Sequence, residues 1–133
     1  MTALFKNRQQ AGKAADKLKV YAQPQRLMIL SFLLRGEHTV GDIDAATGIG
    51  QPALSQQLAE LRRNELVKTR RASKQIWYEL ADDKVCLCVR SMEAILGDDN
   101  GEVQQLLSSS VMVKTQSGTV TPNAGAAGFA RMI

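Results

Sequence analysis

The sequence is poor in residues that link a chain covalently or stabilise it by ring stacking. Aromatic side chains make up 5% of its 133 residues, so the core has to be built mainly from aliphatic side chains. It has two cysteines, Cys86 and Cys88, and because one residue separates them they cannot join distant parts of the fold. The simplest interpretation is a protein of the reducing cytoplasm.

No stretch of the sequence is typical of a membrane span or a secretory signal. The longest apolar run, residues 27–34, is interrupted by Ser31 and is far shorter than the roughly 20 residues that a spanning helix needs. Lys6 and Arg8 are not followed by the apolar segment of a signal peptide. We therefore expect no membrane partner and a cytoplasmic location.

The sequence also lacks the motifs by which enzymes are usually recognised. It has no Gly-rich phosphate loop, no nucleophile with an accompanying base and no run of metal ligands. A cysteine-based redox enzyme usually carries Cys-x-x-Cys at a helix start, whereas this chain has Cys-x-Cys. We predict that the protein is not an enzyme, has no catalytic residues and requires no classical cofactor.

Helical periodicity dominates the patterned part of the chain, because apolar residues recur every three or four positions. Thr39 is suited to cap the third helix, Gly48 to end it, and Pro52 to occupy the first turn of the fourth. The predicted helices cover residues 9–22, 24–35, 40–47, 51–64 and 82–96.

After Asn64 the pattern changes to that of β-strands. Residues 66–71 and 75–80 are rich in β-branched and aromatic side chains, and the short segment between them predicts a hairpin. Two short helices joined by the Gly-rich "GIG", followed by a hairpin, describe a winged helix-turn-helix. The predicted fold class is mainly α (α+β), with about five helices and a two-stranded wing.

The domain organisation follows from the same change in composition. Residues 1–8 are predicted to form an N-terminal arm and residues 9–96 the winged helix-turn-helix domain. Residues 97–133 open with a strong helix stop and end in a Gly-, Ala- and Ser-rich segment, so we expect a flexible or loosely docked tail. Within that tail, residues 102–107 could add a short helix.

Positive charge is concentrated at the end of the fourth helix and in the hairpin. Residues 60–74 carry six basic and two acidic side chains, a net +4 that equals the charge of the whole chain. A duplex backbone would lie against such a cluster. Glutamine side chains suit bidentate reading of adenine, serine can bond a base or a phosphate, and the helix start at Pro52 could receive a phosphate. The predicted DNA-binding residues are Gln51, Pro52, Ser55, Gln56, Gln57, Arg62, Arg63, Arg70, Arg71 and Lys74.

Three markers occur in order along residues 9–96: the Pro-x-Arg-Leu opening of the second helix (Pro24, Arg26, Leu27), "ALSQQLAELR" in the fourth, and the wing ending "WYEL". By these markers the sequence resembles the ArsR/SmtB family of bacterial repressors. The resemblance implies a homodimer built by the first and last helices. It also implies that the dimer binds a palindromic operator and is released by an effector, which is often a metal ion and in some branches a sulfur or redox species. Where members commonly carry His in the fourth helix, this chain has Gln57.

The sensing residues of the family are not carried over. The stretch matching the third-helix thiolate box, residues 39–45, has no cysteine, and the last helix has no histidine. His38 is read as a plain loop residue, and any metal site is unknown. In the sulfur-responsive branch one cysteine comes from the second helix and one from the last, whereas here both fall in the last.

Helical geometry limits what Cys86 and Cys88 can do together. Residues two apart differ by about 200° around a helix, so these thiols cannot chelate one ion unless the helix starts after Cys86 or two subunits take part. Cys88 is predicted on the apolar face. The thiols remain the predicted effector site, open to a thiophilic metalloid such as arsenite, to oxidation or to persulfidation. The alternatives are a repressor without an inducer, in which both cysteines are structural, and a winged-helix adaptor that binds protein.

Overall fold

The computed structural model describes residues 3–97 together with residues 104, 105, 107 and 108. In this part of the chain a 3-10 turn at Leu4–Lys6 precedes five α-helices whose ends are defined, and residues 104, 105, 107 and 108 are also helical. The helices are α1 Arg8–Tyr21, α2 Pro24–Leu34, α3 Val40–Thr47, α4 Ala53–Arg63 and α5 Asp83–Leu96. The strands are β1 His38–Thr39, β2 Val67–Ala72 and β3 Gln75–Leu80. All five predicted helices and both predicted strands are present, with ends shifted by one or two residues.

The ends of the helices are set by polar side chains and by glycine, as the sequence indicates. The Thr39 hydroxyl accepts a hydrogen bond from the Asp42 amide, and the Asp42 carboxylate accepts one from the Thr39 amide, which makes a capping box at the start of α3. Gly48 ends α3 in the left-handed conformation, at φ 69°. At the start of α2, the Gln23 side chain accepts from the Arg26 amide at 2.9 Å.

The core is almost entirely aliphatic, as predicted from the scarcity of aromatic residues. Its fully buried side chains come from α2, α3, α4, the segment that enters β2, and α5, and the only aromatic ring among the buried residues of the described part is Tyr21. The largest fully buried side chains are Ile29, Leu30, Ile43, Leu54, Leu58, Leu61, Leu66 and Val89. The helix-turn-helix is therefore fixed by the same leucine-rich core that supports the sheet.

The sheet has three strands rather than the two that were predicted. β3 lies in the centre and pairs antiparallel with β2 on one side and with β1 on the other. The prediction of His38 as a plain loop residue is wrong, because His38 pairs with Tyr78 in this sheet and its ring stacks on Phe32 at 4.0 Å. A two-residue strand is too short to produce a periodic signal, and its pairing depends on long-range contacts with β3.

The chain divides into two compact units, the first ending at Arg90 and the second beginning at Ser91, within α5. The second unit contains the last turns of α5, and the Gly97 amide donates to the Glu93 carbonyl at 2.9 Å. In the predicted 102–107 helix, residues 104, 105 and 107 are helical; the rest of it and nearly all of the predicted tail lie outside the described residues. No helix of the described part is both long enough and apolar enough to cross a membrane.

Candidate nucleic-acid interface

The turn between α3 and α4 sets the direction of the predicted recognition helix. The Asp44 carboxylate accepts from the Gly50 amide at 2.9 Å, and its backbone carbonyl accepts from the Gly48 amide at 2.8 Å. Leu54, Leu58 and Leu61 then turn one face of α4 into the core. Because apolar residues at this spacing occupy one side of a helix, the opposite side, with four of the five DNA-binding residues predicted on α4, faces solvent.

At the start of α4, Gln51, Ser55 and Gln56 are exposed, as predicted. Gln51 Oε1 accepts from the Ser55 amide at 3.1 Å and from the Ser55 hydroxyl at 2.7 Å, so Gln51 caps the helix that Pro52 cannot cap. This leaves the amide NH₂ of Gln51 as its donor toward a ligand.

We predicted that the start of α4 could bind a phosphate through its backbone amides. Two of these amides already donate hydrogen bonds within the protein. The Leu54 amide donates to the Gly50 carbonyl at 2.8 Å, and the Ser55 amide donates to Gln51. A phosphate would have to displace these bonds, so Pro52 borders a helix end that is already capped.

Gln57 departs from its predicted outward position. Its side chain is half-buried, and its oxygen accepts from Arg26 Nε at 2.8 Å. Its nitrogen donates to Gln25 Oε1 at 3.3 Å. Helical spacing alone does not reveal that α2 passes on this side of α4.

The predicted basic residues fall into two groups. All five are exposed, but Arg62, Arg71 and Lys74 form one group and the arginines held by carboxylates, Arg63 and Arg70, form the other. Arg63 forms an ion pair with Glu60 one turn earlier in α4. Among these five residues of the described part, only Arg62, Arg71 and Lys74 present their charge to solvent without an ion pair to a carboxylate.

Arg70 is the more strongly held of the paired arginines. Both its Nε, at 2.9 Å, and a terminal nitrogen donate to Glu37, and its guanidinium lies 5.8 Å from the Trp77 ring centroid. The hydrogen bonds that Arg70 donates to Glu37 lower the pKa of Glu37 below its ordinary value and raise the pKa of Arg70 above its own. This pair connects β2 to the segment just before β1.

The wing ends in a two-residue turn, Ser73-Lys74. Both residues have positive φ, 53° and 65°, and Ala72 pairs with Gln75 across the turn. Positive φ at both central positions is the mark of the type I′ turn, whose twist matches that of the strands. The Lys74 ammonium is therefore carried at the exposed tip of the hairpin.

A groove of about 450 Å³ lies between α4 and β3, and it brings predicted and unpredicted residues together. Ser55, Arg62 and Arg63 line it from the helix, and Tyr78 lines it from the strand. Tyr78 is not among the predicted residues, because it lies two positions before the buried Leu80 on the same face of β3 and therefore reads as a core residue. Only the packing of α4 beside β3 reveals its position.

The two cysteines lie inside a regular helix. The Asp82 carboxylate accepts from the Val85 amide at 2.9 Å and α5 begins at Asp83, so the helix does not start after Cys86. The thiols are thus about 200° apart, and one subunit alone cannot bring them together. Cys88, which is predicted on the apolar face of the helix, is exposed in the single chain, and Cys86 is half-buried.

Cys88 meets the end of α1. The buried Tyr21 side chain and Cys88 line the same cleft, and burial followed by the neighbouring Cys88 raises the pKa of Tyr21 above its ordinary value. The cleft around them is about 290 Å³ and carries charges of both signs. It is lined by Lys17, Tyr21, Glu65, Asp82, Lys84, Val85 and Cys88.

Large apolar side chains are exposed on the helices that were predicted to form a dimer. Phe5, just before α1, is 86% exposed, Leu18 on α1 is 60% exposed and Leu87 on α5 is 59% exposed.

Among residues 3–97, 104, 105, 107 and 108, no three His, Cys, Asp or Glu side chains form a group that could hold a metal ion.

Comparison with known proteins agrees with this architecture. The sequence model described as "Bacterial regulatory protein, arsR family" matches residues 23–69. The biofilm growth-associated repressor of Agrobacterium fabrum is 46% identical over 85 residues, which span 64% of this chain and 73% of that protein.

Solved structures extend the likeness to the fold. The transcriptional repressor BigR from Xylella fastidiosa superimposes with a TM-score of 0.64 at 40% identity, covering 70% of this chain and 92% of that one. A homodimeric winged helix-turn-helix DNA-binding domain from Mycobacterium bovis gives 0.60 at 27% identity, covering 77% and 91%. The predicted winged helix-turn-helix is therefore confirmed. This chain belongs to the ArsR family of bacterial regulatory proteins, and it is accordingly a DNA-binding transcriptional regulator rather than an enzyme.

Proposed function

We propose that this protein is a homodimeric repressor that binds a palindromic operator through α4 and the wing. The observation that carries the proposal is the groove between α4 and β3, where Ser55, Arg62 and Tyr78 meet. Base-reading side chains at the start of α4 and cations at its end and on the wing would then contact one duplex together. Gln51, Ser55 and Gln56 would supply specificity, and Arg62, Arg71 and Lys74 affinity.

The homodimer is supported by the exposed apolar side chains of α1 and α5. Leu18 and Leu87 lie in water in the single chain, and their burial against a second copy would be favourable by about 25 cal/mol for each Å² of apolar surface. The similar domain from Mycobacterium bovis is homodimeric. A two-fold dimer would set its two α4 helices on half-sites about 34–36 Å apart, which requires a palindromic site.

The test begins with a duplex selected by the wild-type protein from a random pool. We expect one palindromic sequence to be enriched, to be bound by a dimer in sedimentation, and to be released as salt is raised. Enrichment of no sequence, together with no retention on duplex DNA, would instead favour a protein-binding adaptor.

For regulation we propose a thiol-directed effector that acts at Cys86 and Cys88. Cys88 is exposed and lines a cleft together with Tyr21 of α1, so a modified sulfur would disturb the packing of the two helices assigned to the dimer. Oxidation, persulfidation and binding of a metalloid such as arsenite are the candidate chemistries. The competing proposal is a repressor without an inducer.

A Cys86→Ser/Cys88→Ser double variant distinguishes the two proposals. We expect it to bind the selected duplex as wild type does and to remain bound under peroxide, a polysulfide or arsenite, one of which releases the wild type. Release of the double variant under the same reagent would refute the thiol switch. If no reagent releases the wild type, the inducer-free repressor is supported.

A further inference from the structure

One arginine joins three elements near the recognition helix. Arg26 lies in the first turn of α2 and is half-buried. Its Nε donates to Gln57 Oε1 of α4 at 2.8 Å, and a terminal nitrogen donates to the Val20 carbonyl of α1 at 3.2 Å. A guanidinium holds its donors in a rigid plane, so these two bonds fix the separation and the angle of the groups they join.

The Val20 carbonyl is a group that needs such a partner. The last four carbonyls of a helix have no amide of the same helix to donate to them, and Val20 lies in the last turn of α1. The Leu18 and Lys19 carbonyls accept from the Ala22 amide, and the Tyr21 carbonyl accepts from Gln23. Arg26 donates to the remaining carbonyl, that of Val20, and its positive charge is favourable at a helix C-terminus.

On the other side of Arg26, Gln57 is fully engaged. Its oxygen is used by Arg26, and its nitrogen donates to Gln25 Oε1 at 3.3 Å. Bidentate reading of adenine needs both the oxygen and the nitrogen of a glutamine amide, so Gln57 could read a base only by giving up both bonds to α2. Gln56, its neighbour on the same helix, is exposed.

We infer that Arg26 and Gln57 are positioning residues for DNA binding: they hold α4 at a fixed orientation against the corner between α1 and α2, and Gln57 does not read the operator. The inference rests on the proposed role of α4 as the recognition helix. Because α4 would enter the major groove of DNA as a rigid body, a change in its orientation would disturb all of its base contacts at once. Loss of one base-reading residue would disturb the contact with one base pair.

The experiment compares Gln57→Ala, Arg26→Lys, the two combined, and Gln56→Ala as the matched control. Affinities are measured for the duplex selected by the wild type and for every single base-pair substitution in its half-site. Arg26→Lys keeps the positive charge, and thermal unfolding of each variant reports whether it is folded.

We expect Gln57→Ala and Arg26→Lys each to weaken binding of the selected duplex roughly tenfold, in line with the loss of a hydrogen bond to a charged group. The combined variant should bind about tenfold more weakly than the wild type rather than a hundredfold, because both changes break the same Arg26–Gln57 hydrogen bond. Discrimination should decline at all base pairs read by α4, with the salt dependence unchanged. Gln56→Ala should lose discrimination at one base pair.

Two results would overturn the inference. If Gln57→Ala lost discrimination at a single base pair and kept it elsewhere, Gln57 would be a base-reading residue. If the effects of the two changes multiplied, Arg26 and Gln57 would act separately. Should Arg26→Lys fail to fold, the base-pair profile of Gln57→Ala still decides. Failure of the wild type to select any duplex would refute the proposed function itself, and is seen before any variant is made.

Discussion

Helices α4 and α5 both bury apolar side chains on their inner faces, but their outer faces differ. α4 buries Leu54, Leu58 and Leu61, and the first half of α5 buries Val85 and Val89. The outer face of α4 carries glutamine, serine and arginine side chains, which remain hydrated when the protein is free and can bond bases and phosphates. The outer face of α5 instead carries Leu87 and Cys88.

One core therefore supports two kinds of surface. A polar outer face loses nothing by remaining in water and gains specific bonds from a polar partner. An exposed leucine gains only when another apolar surface covers it, so the outer face of α5 suits a protein partner.

The largest effect is expected on the inner face of α4. Leu61 is fully buried, so Leu61→Ala should lower the free energy of unfolding by about 2–5 kcal/mol through lost burial and the cavity that remains. Denaturant unfolding measures it. Leu87→Ala is the matched control, and an equal loss there in the monomeric protein would contradict the exposed position of Leu87.

The next effect concerns the outer face of α5. Leu87→Glu places a charge on a surface that we assign to the dimer, so self-association should weaken by about 1.5–3 kcal/mol, the value of burying a leucine side chain. Sedimentation across protein concentrations measures the change, and the unfolding of the monomer should be little affected. A variant that dimerised like the wild type would place the interface elsewhere.

A smaller effect is expected on the wing. Arg71 is exposed on β2, so Arg71→Ala should weaken binding to all duplexes alike and lower the slope of log affinity against log salt by about one. Lys13→Ala, on the exposed side of α1, should keep the wild-type slope. The same slope for Arg71→Ala would mean that the wing does not contact phosphate.

The smallest effect concerns the Glu37–Arg70 pair. The pKa of Glu37 is lowered in the folded chain, so its contribution to stability is present above the ordinary value of 4.5 and is lost as pH falls through the lowered value. The thermal midpoint of the wild type should therefore exceed that of Glu37→Gln slightly at pH 7, and the two should converge as pH falls below the lowered pKa of Glu37. A gap that stayed constant across this range would exclude an electrostatic contribution.

The helices, the hairpin and the polar outer face of α4 could be predicted from the sequence because each has a local cause. Thr39 and Gly48 act on the backbone within one turn, and the leucines of α4 repeat at the helical period. The concentration of positive charge in residues 60–74 is likewise a property of sequence order. The family resemblance depends on the same local markers and is confirmed.

Which of these side chains can bind a ligand depends on contacts between elements that are distant in the sequence. Gln57 and Arg70 look like their exposed neighbours in sequence, yet each bonds a residue more than thirty positions away, Arg26 and Glu37 respectively. The exposure of Cys88, the β1 strand and the place of Tyr78 depend in the same way on which distant element packs alongside. Periodicity assigns a residue to a face of its own helix or strand, but its partner is set by the packing of elements, because hydrogen bonds and burial depend on distance in space.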